Sequence, residues 1–159
     1  MQERFVHDQA AQRRLPWQQS TFIRLVGALL CIGVTFVHLE DQSFFKFDKG
    51  PQYVLFGYLV LELTGIVVAA LLLFRPGRVA WMVAAMIALG PIIGYALSRG
   101  PGLPDYADDR GNWTEPLGLI SLVIESALLL LAVIVLARTV KTRPVQSMSD
   151  VSREILVNR

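Results

Sequence analysis

Four long apolar runs, residues 22–39, 53–74, 79–97 and 116–137, constrain this chain more than any other feature. Each is close to the roughly 20 residues with which an α-helix crosses about 30 Å of hydrocarbon. Each is too long for a strand and is bounded by charge, glycine or proline. Backbone groups in lipid must bond internally, so the pattern predicts four transmembrane helices in an all-α bundle. Composition agrees, with 53% of the 159 residues hydrophobic and 18% charged. Most of the chain is used in spanning, which leaves no room for a sizeable soluble catalytic domain.

The runs divide the chain into an N-terminal segment 1–21, a membrane domain 22–137 and a tail 138–159. The first run is read as a retained helix, because Thr35-Phe36-Val37-His38-Leu39-Glu40 lacks a small-x-small cleavage site. Both end segments are polar, with a short helix expected near Ser149-Asp150. Counting Arg24, just inside the first run, with the N-terminal segment, eleven of the fifteen Lys and Arg residues lie at the two ends or in Arg75-Pro76-Gly77-Arg78; four (Lys46, Lys49, Arg99, Arg110) lie in the two longer loops. The positive-inside rule then predicts both termini in the cytoplasm (N-in/C-in) and a multi-pass protein of a bacterial inner membrane. Trp17, Phe22 and Trp81 are expected as interfacial aromatics at the inner edge, and Phe44, Phe45, Phe47, Tyr53 and Trp113 at the outer one.

Tyr58-Leu59-Val60-Leu61-Glu62 matches Ser121-Leu122-Val123-Ile124-Glu125, and Arg75 matches Arg138, at one offset of 63 residues. The match suggests two parallel hairpin repeats. It also singles out Glu62 and Glu125, each about mid-membrane, where a charged side chain costs on the order of 2.5–3.5 kcal/mol. Small residues beside both glutamates predict that they face the bundle interior and approach one another. A stripe of Gly27, Cys31, Thr35 and His38 on the first helix, and one of Ala84, Ala88, Pro91, Tyr95 and Ser98 on the third, should face them. Gly90 and Gly94 form a GxxxG packing motif beside Pro91. His38, Tyr95 and Arg99 are expected nearer the outer mouth. With Glu62 and Glu125 they form the candidate proton, cation or ligand site, against the simpler reading that the glutamates only hold helices together.

Other chemistries find no support in the sequence. A single cysteine, Cys31, excludes an internal disulfide and CxxC chemistry. His7 and His38 are the only histidines, so no metal site and no helix-bridging haem is expected. No triad, HExxH, P-loop or GxGxxG pattern occurs, and no basic patch points to nucleic acid. Glu40, Asp41 and the Asp105–Asp109 stretch read as a solvated acidic face.

The loop before the fourth run is the most distinctive stretch. Gly94-Tyr95-Ala96-Leu97-Ser98-Arg99, Gly102-Leu103-Pro104 and Trp113-Thr114-Glu115-Pro116 resemble a pattern in a family of uncharacterised bacterial four-helix membrane proteins. The His38-Leu39 exit fits the same pattern, whereas Gly100-Pro101 departs from it. The resemblance implies the fold and location given above and supplies no substrate, cofactor or catalytic residue. Physically, Arg99 is expected to pair with Glu115, Pro116 to open the last helix and Trp113 to anchor the interface. The whole reads as a structural or accessory membrane protein, without enzymatic activity, whose partners are the lipid bilayer and a membrane protein or a second copy. A small proton- or cation-coupled carrier using the buried glutamates is the alternative.

Overall fold

The computed structural model describes residues 20–42 and 50–140. They form four helices: α1 (Thr21–Asp41), α2 (Gln52–Phe74), α3 (Arg78–Arg99) and α4 (Pro116–Val140). All four are long and apolar enough to cross a membrane, so the chain is a multi-pass membrane protein with lipid as its surroundings. Among the described residues the only strand-like pairing is one bridge, Leu103 to Tyr106, inside the α3–α4 loop. Helix ends run up to three residues past the apolar runs, and this places Asp41 inside α1 and Arg99 at the close of α3. The expected N-terminal segment, tail helix, Trp17 and Phe44–Phe47 lie outside the described residues.

α1 packs chiefly on α2 and α3 on α4, with α1 against α4 joining the two hairpins. This is the pairing that the 63-residue offset suggests. α2 and α3 are consecutive in the chain yet touch far less. The short Arg75–Gly77 link between them defines a turn end of the bundle; the α3–α4 loop defines a loop end.

The turn-end half is solidly filled. Cys31, Val34, Val68, Leu72, Trp81, Ala84, Ala88, Leu128 and Ala132 form its core. Glycine permits the closest approaches there, as a Cβ on Gly27 would come within 2.7 Å of the Trp81 ring. On Gly65 it would collide with Thr35 Oγ1. Phe22, Leu29, Phe36, Phe56, Leu63, Val67, Val123 and Leu130 point outward. Such a belt would drive aggregation in water and is the expected covering in lipid.

Two sequence expectations need correction. Trp81 is not an interfacial aromatic: it is completely buried, and its Nε1–H has no partner. The hole opposite Gly27 captures the ring. Nor do Gly90 and Gly94 form a packing seam, because a Cβ on either would meet nothing within 4 Å. Phe22, Tyr53 and Trp113 are exposed, as belt residues should be.

Candidate functional site

The last turns of α1 organise the polar interior. His38 and Gln42 are four residues apart and therefore share one helix face. His38 Nε2 lies 3.0 Å from Glu125 Oε1, and the Ser121 hydroxyl, one turn earlier on α4, donates to the same oxygen. The Gln42 amide donates to Glu62 Oε1. Both carboxyl groups are deeply buried, Glu62 at 5% exposure and Glu125 at 1%. The expected close approach of the two glutamates takes a different form here, since each carboxylate has its own partner from α1. Thr35 Oγ1 donates to Cys31 O at 3.1 Å and lies 3.5 Å from Glu62 O, tying α1 to α2.

Arg99 closes the loop end. Its NH2 group is 3.0 Å from Glu115 Oε2, as the loop motif predicts. Its NH1 group reaches Asp109 Oδ2 at 3.1 Å and Ser98 Oγ at 2.9 Å. The guanidinium lies 4.6 Å from the centre of the Tyr95 ring, and its Nε is buried without a hydrogen-bond partner. Glu115 immediately precedes α4 and accepts from the Gly118 N–H at 3.0 Å, an N-cap that leaves Pro116 in the first turn, where no donor is needed. Asp109 is thus an ion-pair member and not part of a solvated face. Asp41 likewise accepts from the Tyr58 hydroxyl.

The loop itself is ordered by its backbone. Leu103 and Tyr106 exchange two hydrogen bonds, with Asp105 in the left-handed region at φ 54°, and the Gly111 N–H reaches Arg99 O at 2.8 Å. Tyr106 is thereby set over the bundle end. Burial first, then the Asp109 carboxylate, pushes its phenol above the usual tyrosine range.

Beneath this loop lies a cavity of about 540 Å³. Its sides are α2 and α3, from Tyr53 to Thr64 and from Val83 to Arg99. Its back is His38 and Asp41 of α1 with Gly118, Ser121 and Glu125 of α4, and its roof is Leu103, Tyr106, Asp109 and Glu115. Gly57, Gly90 and Gly94 also line it, and a Cβ on any of them would meet open space. The exposed residues Tyr53, Gly57, Val60, Met86 and Gly90 are part of the wall, so the cavity opens on the α2–α3 face. The wall is mainly apolar towards mid-bundle and polar beneath the loop.

Of the residues singled out from sequence, His38, Tyr95, Arg99, Glu115 and Glu125 all border this cavity, whereas Glu62 does not. Trp113 stacks edge-on against Tyr95 and accepts its hydroxyl through the backbone carbonyl at 2.8 Å. Sequence reasoning missed Gln42 and Tyr106. The four-residue step from His38 could have found Gln42; Tyr106 has no local signal beyond being the single tyrosine in a Gly/Pro/Asp-rich loop. Among the described residues no group of three or more His, Cys, Asp or Glu side chains is arranged to hold a metal ion. No family model, curated protein or solved structure matches the chain.

Proposed function

We propose that this protein binds an amphipathic small molecule drawn from the bilayer. The observation that carries the reading is the 540 Å³ cavity open between α2 and α3. Its size falls within the range of small-molecule sites, which pair apolar walls with a few placed polar groups. Its open side faces hydrocarbon, so a ligand can enter without crossing water. A purely structural or accessory role favours a filled core, and only the turn-end half has one.

The test uses the purified protein in nanodiscs and prodan, a neutral solvatochromic probe. Saturable binding to the native protein, lost in Gly94→Leu while thermal stability is kept, supports the reading. Gly94→Leu puts bulk into the cavity, and a Cβ at that position meets nothing within 4 Å. Unchanged binding in that variant would place the probe elsewhere and defeat the proposal.

Carriage of the ligand, coupled to a proton or cation, is the second reading. It is favoured by Glu125, a buried carboxylate on the cavity wall. In such a carrier Glu125 acts and Glu62 does not. Uptake into vesicles that follows a pH gradient, and stops in Glu125→Gln, supports carriage. The N-in/C-in arrangement in a bacterial inner membrane belongs to the same proposal and places the cavity in the outer leaflet. Reporter fusions after residue 145 should signal cytoplasm and fusions within 103–112 the exterior.

A further inference from the structure

We propose that the ligand is an organic cation, a positively charged group on an apolar body, an assignment that rests on the cavity being a binding site. Two independent features of the wall point the same way. The first is charge. Arg99 is the one permanent cation among the described residues lining the cavity, and it is already shared by Asp109 and Glu115. That trio carries one net negative charge. The Glu125–His38 pair adds a second when His38 is neutral and none when it is protonated. Both amino groups of the guanidinium are taken by carboxylates and it lies against Tyr95, so its charge is already shared and only the buried Nε–H is left without a partner. An anion entering here would meet carboxylates with no free cation.

The second feature is aromatic. All four tyrosines of the chain line this one cavity. Each hydroxyl is tied back to the protein: Tyr53 to Pro104 O, Tyr58 to Asp41, Tyr95 to Trp113 O and Tyr106 to Asp109. The rings therefore contribute π surface to the wall while their hydroxyl donors are already engaged. Rings with nearby carboxylates are the surroundings in which desolvated organic cations bind well. Burial first, and then the carboxylates of Asp109, Asp41 and Asp108, hold the Tyr106 phenol above its ordinary range, in keeping with the acidic roof.

Tetraphenylphosphonium and tetraphenylborate have nearly the same shape and opposite charge, which isolates the question. Binding of each to protein-containing nanodiscs is measured against empty ones, because plain bilayers take up the two ions unequally. The expected result is saturable tetraphenylphosphonium binding at least tenfold tighter than tetraphenylborate, displacement of prodan by the cation, and a loss of tetraphenylphosphonium affinity in Glu125→Gln several-fold larger than any loss of prodan affinity. Equal binding of the two ions, or preference for the borate, would overturn the charge assignment and leave the cavity reading standing. Prodan binding without tetraphenylphosphonium binding would do the same. Failure of all three probes would overturn both.

Discussion

Glu62 and Glu125 close two matching five-residue stretches of the sequence, and the bundle treats them differently. Glu62 lies where α1 and α2 press together, bonded to Gln42 and away from the cavity. Glu125 is as deeply buried, yet its partners His38 and Ser121 stand with it on the cavity wall. Burial alone therefore does not mark a working carboxylate in a membrane. What separates the two is whether the space beside the group is filled, and glycines decide that in both places.

The sharpest test of the difference exchanges glycine for leucine on each side. Gly65→Leu drives a side chain into Thr35 and should cost about 3 kcal/mol or more, the upper end for overpacking. Gly94→Leu should change stability by less than about 0.5 kcal/mol, as for substitutions that disturb no neighbour. Unfolding in a denaturing-detergent titration would read both, and equal losses would break the distinction between filled and open halves.

Next comes Arg99→Ala. Removing the cation leaves Asp109 and Glu115 facing each other, at a cost of about 2–3 kcal/mol, below the fully buried case because both acids keep some water. Loop proteolysis should rise, and hydrogen exchange around Gly65 should not.

Smaller effects should follow from Glu62→Gln and Glu125→Gln. Each keeps an acceptor oxygen, and hydrogen bonds between membrane helices average about 0.6 kcal/mol, so neither should lower stability by more than about 1 kcal/mol. Only Glu125→Gln should weaken cation binding. If Glu62→Gln weakened it equally, the two carboxylates would be a single site.

The smallest effect concerns alkaline pH. Folding holds the Tyr106 phenol protonated beyond its ordinary range, so that stability is complete below about pH 10, the value of a free tyrosine. It is lost as pH climbs above that value, where the unfolded chain ionises first. Tyr106→Phe should flatten the loss by a few tenths of a kcal/mol, and phenolate absorbance should show one fewer late-titrating tyrosine.

Hydropathy and length were enough to read the four helices, because lipid leaves the backbone few options. The Arg99–Glu115 bond was legible too, since both residues flank one loop and a carboxylate belongs before a helix. The cavity was not. Gly90 and Gly94 have the spacing of a packing motif, and only the distance between α2 and α3 shows that nothing packs there. Trp81 has the place of an interfacial ring, and only Gly27 on another helix reveals the hole that holds it. Gln42 lies past the last apolar residue of its run, where α1 keeps winding because Glu62 accepts its amide.

The link between α2 and α3 is three residues long, and at the opposite end α2 is tied to the α3–α4 loop by Tyr53 Oη donating to Pro104 O at 2.6 Å. Mechanically this is a lever: a short pivot, then a 22-residue arm of about 33 Å at 1.5 Å per residue. A tilt of about 5° at the pivot moves the far tip by about 3 Å over that length, close to the thickness of an aromatic ring. The packing of α3 on α4 and the roof bond from Tyr53 therefore carry the load at the far end of that arm, and they fix the width of the aperture.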